Sequence, residues 1–242
     1  MQKLEFALQF EKLENAAEGY PAIIVAAGSS SRMNGIDKQF ALLGGIPVLA
    51  RTLRAFENSR YISEITVVTR EDKIPDIKKL AERYAVSKVK NVIVGGSCRE
   101  ESVKNGVELY RGKCSKILIH DGARPLVSEE TIKGVAMALA QFDSVTCGVT
   151  PKDTVKCIGK DGIVQNTPDR DTMVLVQTPQ GVNVDKFLQV ADSHELNGFT
   201  DDTSVMEFLG IPTKITAGDY TNIKITTPED VLVAEGYIRK EW

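Results

Sequence analysis

Ala22-Ile-Ile-Val-Ala-Ala-Gly-Ser-Ser-Ser-Arg-Met-Asn-Gly-Ile-Asp-Lys38 runs from an unbroken apolar segment into a chain of small residues and closes on a lysine. Ala22–Ala26 shows no polar alternation, which is the pattern of a strand buried on both faces. Small residues directly after such a strand let backbone N–H groups approach a ligand and form an anion-binding nest. Arg32 and Lys38 add two cations on the same segment. That combination suits a triphosphate, whose charge must be neutralised when an oxygen attacks phosphorus. By position alone, an ordinary βα loop with two solvated charges is the other reading. Two familiar phosphate loops are excluded by spelling. Ser30 and Met33 stand where the dinucleotide fingerprint needs glycines, and Lys38 is followed by Gln39 instead of the Ser or Thr of a Walker loop.

Outward from this stretch, short β-rich runs alternate with amphipathic ones. Residues 47–58 read as a helix with Leu49, Leu53 and Phe56 on one face, 64–69 as a strand and 74–84 as a helix. Strand 91–94, helix 99–110, strand 116–120, helix 128–141 with Ser128 as N-cap, and strand 144–149 follow. Strands alternating with helices of this length predict parallel βαβ units in a doubly wound α/β sheet, with ligands at the carboxyl ends of the strands. The loops after Ala26, Val94 and His120 are therefore the places where a site is expected.

Residues 151–168 break the rhythm. Val155–Ile158 and Ile163–Gln165 around Gly159-Lys-Asp-Gly162 read as a β-hairpin that projects as an arm. The pattern then resumes with strand 174–177, helices 184–193 and 202–209, and short strands 213–215 and 222–226. A closing helix is expected over 228–239, begun by Thr227 and Pro228 with Glu229 and Asp230 at its positive end. Residues 1–19 are expected as an extension, and 20–242 as one domain carrying the arm.

Composition narrows the class. The 242 residues are 42% hydrophobic and carry a formal net charge of -3, which argues against nucleic acid as the main partner. Cys98, Cys114, Cys147 and Cys157 have no metal-ligand spacing, and only His120 and His194 offer imidazoles. Neither a zinc site nor a disulfide framework is expected, and a reduced, cytoplasmic protein is. No stretch is apolar enough for a signal sequence or a bilayer span.

Two further segments carry chemistry. In His120-Asp-Gly-Ala-Arg-Pro125, Asp121 stands at a strand's carboxyl end, where a carboxylate can hold Mg²⁺ through one or two bonds while phosphates supply the rest; taken alone, it reads rather as a helix or turn cap. His120 has no partner for acid-base work and reads as a packing residue. Gly95-Gly-Ser-Cys-Arg99 permits close backbone approach to a flat base, and Ser102 reads equally as a partner for a pyrimidine edge or as an uninvolved first-turn serine.

Together these pieces resemble the 2-C-methyl-D-erythritol 4-phosphate cytidylyltransferases of the non-mevalonate isoprenoid pathway. The resemblance runs from Ala22 to Tyr237 through ordered motifs. These are Ala26-Ala-Gly-x-x-x-Arg-Met33 with Lys38-Gln39, Gly95-Gly-x-x-Arg99-x-x-Ser102, His120-Asp-x-Ala-Arg-Pro125 and Asp153-Thr-Val-Lys156. Thr178-Pro-Gln180, Thr200-Asp-Asp202, Asn222-Ile-Lys-Ile-Thr226 and Pro228-Glu-Asp230 complete the set. The segment between Met33 and Lys38 lacks the proline common in the family.

The resemblance implies a Rossmann-like three-layer sandwich, a homodimer, and CTP with a small polyol phosphate as substrates. It makes Arg32, Lys38 and Lys224 the groups that grip the triphosphate and stabilise the transition state. Ala26, Ala27, Gly28, Gly95, Gly96 and Ser102 would frame the cytidine. Asp121, Arg124, Thr154, Arg170 and Thr200 would surround the polyol phosphate, some of them across a dimer, and Asp121 would position Mg²⁺. The rivals are a ribitol 5-phosphate cytidylyltransferase, which shares the CTP loops, and, in a different class, a nucleotide-binding protein without activity. Retention of Arg32, Lys38, Asp121 and Lys224 together speaks against the latter.

Overall fold

The computed structural model of the protein describes residues 19–28 and 37–239. Arg32 and most of the extension expected over residues 1–19 lie outside the described residues. The strands are β1 (Tyr20–Val25), β2 (Leu42–Leu43), β3 (Ile46–Pro47), β4 (Ile62–Thr69), β5 (Val89–Val94), β6 (Lys116–Asp121), β7 (Ser144–Val149), β8 (Cys157–Ile158), β9 (Val164–Asn166), β10 (Leu175–Asn183) and β11 (Lys214–Ala217). The helices are α1 (Val48–Asn58), α2 (Ile74–Arg83), α3 (Arg99–Glu108), α4 (Glu129–Leu139), α5 (Val184–Ser193), α6 (Asp202–Phe208) and α7 (Pro228–Arg239).

β1 sits inside a seven-stranded sheet of order β11-β7-β10-β6-β1-β4-β5 and pairs in parallel with both neighbours. Ala22 and Ile24 join a core with Leu53 and Phe56 of α1, Ile77 of α2, and Ile132 and Val135 of α4. Ile23 and Val25 join a second core with Val103 and Val107 of α3, Phe187 and Leu188 of α5, and Met206 of α6. Alternate residues of one apolar strand thus feed two helical layers, which is why the run needed no polar face. Helices on both faces of a mostly parallel sheet make a three-layer αβα sandwich.

The chain winds from β1 through β4 to β5 on one side of β1, then crosses to β6 on the other. The carboxyl ends of β1 and β6 therefore border the crevice where the winding reverses, with Val25 paired to Asp121.

Three differences from the sequence expectation have physical causes. The strand expected over 174–177 continues to Asn183 and runs antiparallel between β6 and β7. Its pairing with β7 skips between Gln177 and Gln180, where Pro179 has no N–H for the ladder, so the sequence reads as an end where the strand only bulges. Residues 222–226, expected as a strand, are irregular. They are held by Ile225 N–H donating to the Ala123 carbonyl and by the buried Ile225 side chain, packed with Leu43, Val48 and Ala234. Before α1, Gly44 and Gly45 adopt φ of +56° and +77° and turn a small β2–β3 hairpin that ends on Pro47.

The expected hairpin is present as β8 and β9, with Ile158, Ile163 and Val164 exposed. Ser128 caps α4 by accepting from the Thr131 N–H. Among the described residues, no helix is long and apolar enough to cross a membrane. All four cysteines are free.

Candidate functional site

Two clefts open at the carboxyl ends of the strands and meet at Asp121. The first, about 430 Å³, is lined by Ala27, Gly28, Lys38, Gly96 and Ser102 together with Arg70, Arg99, Asp121 and Lys224. The second, about 480 Å³, is lined by Arg124, Thr200, Asp201, Ser204, Thr146 and Gln177, again with Arg99, Asp121 and Lys224. Those last three residues form the seam.

Each wall of the first cleft is built locally. Ala26 donates its N–H to the Val68 carbonyl and is buried behind Ala27 and Gly28. Gly95, likewise behind the wall, donates to the Thr69 carbonyl. A Cβ on Gly96 would fall 2.2 Å from the Glu101 Cβ, so the loop can turn into α3 only with glycine there. The Ser102 hydroxyl accepts from the Gly96 N–H at 3.0 Å and donates to the Cys98 carbonyl at 2.8 Å. It braces the loop, and its proton is committed there instead of being aimed at a base. Lys38 brings its ammonium to within 3.7 Å of where a Gly28 Cβ would lie, so the residues on either side of positions 29–36 face one cleft. Arg70, which the sequence reading did not single out, reaches the Asp37 carboxylate at 3.0 Å and the Gly28 carbonyl at 3.4 Å, tying those two sides together.

Asp121 is 6% exposed and faces three cations. Arg99 Nε lies 3.2 Å from Oδ1, and Lys224 Nζ and Arg124 Nε lie 2.9 and 3.4 Å from Oδ2. Burial alone would raise this carboxyl, but Arg99, Lys224 and Arg124 overcome it and hold it well below the usual carboxylate range. The site therefore presents a fixed anion among cations. Arg124 is steadied by donating to the Asn222 carbonyl at 2.7 Å.

Behind Asp121 runs a buried relay. The Asp121 N–H donates to Thr178 Oγ1 at 3.1 Å, and Thr178 Oγ1 is 3.0 Å from His120 Nδ1. His120 Nε2 lies 3.3 Å from the Arg124 carbonyl, which can only accept, so Nε2 carries the proton and Nδ1 receives the Thr178 hydroxyl. Burial pushes the His120 pKa down to about 3, against the pull of Asp121. The ring is a neutral prop packed on Phe56, at 4.8 Å between centroids.

The far wall of the second cleft is the start of α6. Thr200 lines it but does not cap the helix. Asp201 does, accepting from the Ser204 N–H in a capping box. Both residues can cap, and Asp201 is the one whose carboxylate reaches the first turn. Gln180 holds this turn to β10: its Oε1 accepts from the Asp202 and Thr203 N–H groups at 2.9 and 3.1 Å, and its Nε2 donates to Asp201. Arg99 makes a two-pronged contact with Asp202 at 2.7 and 2.8 Å.

Thr154 and Arg170 are not brought to either cleft. Both are exposed at the base of the arm, where Arg170 donates to the Lys152 carbonyl at 3.0 Å. Among the described residues, no group of three or more His, Cys, Asp or Glu side chains is placed to hold a metal. Asp121 is the one carboxylate shared by both clefts. Arg99, Asp202, Gln180 and Arg70 are the structural additions to the residues singled out by sequence. The signal for the first three was available, since each falls within a quoted motif, but their partners are remote in the chain.

Comparison with known proteins agrees with the motifs and with the fold. The family model described as IspD, 2-C-methyl-D-erythritol 4-phosphate cytidylyltransferase, matches residues 21–240. A 2-C-methyl-D-erythritol 4-phosphate cytidylyltransferase from Geobacter metallireducens is 42% identical over 228 residues, covering 91% of this chain and 97% of its own. One from Dehalococcoides mccartyi is 43% identical over 219 residues, covering 90% and 96%. Among solved structures, the 4-diphosphocytidyl-2C-methyl-D-erythritol synthase of Anaerococcus prevotii superposes with a TM-score of 0.83 at 33% identity, covering 93% of this chain and 97% of that one. With the motifs in order, the fold shared and the match spanning nearly the whole chain, this protein belongs to the 2-C-methyl-D-erythritol 4-phosphate cytidylyltransferase family.

Proposed function

We propose that the chain transfers the cytidylyl group of CTP to 2-C-methyl-D-erythritol 4-phosphate and releases pyrophosphate. The observation that carries this reading is the pair of clefts sharing Asp121, Arg99 and Lys224. CTP would lie in the first cleft, its base against Gly28, Gly96 and Ser102 and its phosphates towards Lys38 and Lys224. The polyol phosphate would lie in the second, against Arg124 and Thr200. A phosphate oxygen of the acceptor then forms a bond to the α-phosphorus in line, while the bond from that phosphorus to the pyrophosphate oxygen breaks.

No strong general base is required, because a phosphate monoester with a second pKa of about 6 is already largely dianionic at neutral pH. This agrees with a site whose one imidazole is held neutral by burial and has both ring nitrogens engaged, by Thr178 and the Arg124 carbonyl. Catalysis is then positioning and charge stabilisation by Lys38 and Lys224. We assign Arg32, on the same loop, the same task. Lys224 reaches the α-phosphate by exchanging its contact with Asp121 for one with the substrate.

The residues fit magnesium as one hard oxygen ligand supplemented by phosphates and water. The Asp121 carboxylate offers about four lone-pair directions, of which the described residues occupy three. Bound there, the ion would neutralise phosphate charge.

We also propose a cytoplasmic homodimer joined through the arm, with no nucleic acid or membrane as partner. Ile158 and Ile163 on the arm are 62% and 65% exposed, and an apolar protrusion of this kind is a pairing surface. Thr154 and Arg170, exposed at its base, would then complete the polyol cleft of the second copy. The test is the product. Phosphorus NMR of the chain with CTP, Mg²⁺ and methylerythritol phosphate should show a new diphosphate diester growing with pyrophosphate. Unchanged CTP, or CMP alone, would overturn the reading.

A further inference from the structure

Arg99 lies in the first turn of α3, immediately after the nucleotide loop, yet its guanidinium points away from that loop to the seam. Nη1 and Nη2 engage both oxygens of Asp202 at 2.7 and 2.8 Å, while Nε reaches Asp121 Oδ1 at 3.2 Å. Asp202 is 3% exposed and opens α6, whose preceding residues line the second cleft. One side chain therefore ties the wall of the nucleotide cleft, the wall of the polyol cleft and the shared carboxylate.

We propose that Arg99 is a positioning residue for the transfer, fixing the Asp121 carboxylate at the seam by bracing it against Asp202. The inference rests on the proposed reaction for its kinetic consequence, though not for its geometry. Three cations, Arg99, Arg124 and Lys224, face two carboxylates, Asp121 and Asp202. Without Asp202, Arg99 would be free to turn to a substrate phosphate and Asp121 would lose the Arg99 contact on Oδ1, the one that the described residues give that oxygen. Burying a charged pair is a poor way to add stability, because desolvation offsets most of the attraction. What such a pair supplies here is direction: a planar fork fixes two angles at once, which an ammonium cannot do. The exposed pair of Arg111 with Glu108 at the other end of α3 has no such role and serves as a control.

The test compares Arg99→Lys, Asp202→Asn, the double variant, Asp202→Glu and the control Arg111→Lys. Each is assayed by steady-state kinetics in both substrates, by melting temperature and by crystallography. In Arg99→Lys and Asp202→Asn, kcat should fall on the order of 10²-fold, as expected when a reacting group is misplaced by about 1 Å. Both KM values should stay within about threefold, since ground-state binding is retained. The Asp121 carboxylate should be rotated in the crystals, and the double variant should be no worse than the poorer single one. Asp202→Glu, which keeps the ion pair, should recover at least about tenfold of the kcat lost in Asp202→Asn, and Arg111→Lys should match wild type.

The proposal fails if kcat stays near wild type. It fails if kcat falls with Asp121 in its original place, or if one KM rises while kcat is retained, which would make Arg99 a binding contact. Equal loss in Asp202→Glu and Asp202→Asn would also overturn it. A wild-type chain that turns over no polyol phosphate sinks the transfer reading instead, and the Asp121 position in Arg99→Lys crystals then decides the brace.

Discussion

Acidification should weaken this protein through His120 before it reaches the carboxylates. The ring is fully buried, with Nδ1 receiving the Thr178 hydroxyl, Nε2 donating to the Arg124 carbonyl, and Phe56 against its face. Its pKa is about 3 in the folded chain, against about 6.5 in the unfolded one. A base with a depressed folded pKa takes up its proton first when unfolded. The stability tied to it is therefore complete above about pH 6.5 and is lost as pH falls towards about 3. Well inside that window each pH unit is worth about 1.4 kcal/mol, so acidification from pH 7.5 to 4.5 should remove roughly 2.7 kcal/mol. The assay is urea unfolding of wild type and His120→Gln at pH 7.5, 6.5, 5.5 and 4.5. The variant, having no proton to take up, should lose less than wild type by about that amount. It should be the less stable protein at pH 7.5, and the two curves should converge on acidification. Curves parallel to within about 0.5 kcal/mol would refute the argument, because a ring that is not held neutral carries no such penalty.

Three other outcomes follow from the same geometry. Replacing Lys38 with Ala should lower kcat on the order of 10²- to 10³-fold with an unchanged melting profile, measured by pyrophosphate release; wild-type turnover would remove it from the mechanism. Phe56→Ala should cost about 3–5 kcal/mol in denaturant unfolding, since the ring, carried by α1, is fully buried in the core against His120; a loss below about 1 kcal/mol would mean that the site collapses around the gap. Deleting residues 155–165 should shift the sedimenting species from dimer to monomer and, through loss of the residues that the arm positions, depress turnover. An unchanged sedimentation coefficient would exclude the arm as the joining surface.

The sheet and its helical layers were legible because their signals are local. Ala22–Ala26 is apolar on both faces, Leu49, Leu53 and Phe56 recur at helical spacing, and Ser128 precedes the turn that it caps. The loop-bearing strand ends followed from the winding of the sheet. β10 was half legible, because Pro179 in mid-strand resembles a terminus when nothing shows that both neighbouring strands continue past it. Residues 222–226 have strand composition but are placed by a buried Ile225 and an Asn222 that donates to the Thr178 carbonyl at 2.9 Å. Such contacts carry no periodicity.

The site was legible as a list of charged residues and not as a geometry. Arg99 and Asp202 stand 103 residues apart, and no spacing rule joins them. Ser102 was visible as a hydroxyl near a base site, whereas its two bonds to the loop backbone show where that hydroxyl is committed. Thr154 and Arg170 line neither cleft and stay exposed at the base of the arm, a placement that depends on how the hairpin leaves the sheet and carries no signal in their own spacing.

The central claim is that two clefts meeting at Asp121 join a cytidylyl donor to a phosphorylated polyol. Its most direct test is the initial rate of pyrophosphate release from CTP and Mg²⁺ by the wild-type chain, with methylerythritol 4-phosphate and ribitol 5-phosphate in parallel. Release should depend on methylerythritol phosphate, with kcat/KM at least about 10²-fold above that for ribitol phosphate. Release with neither acceptor, or a preference for ribitol phosphate, would contradict the claim.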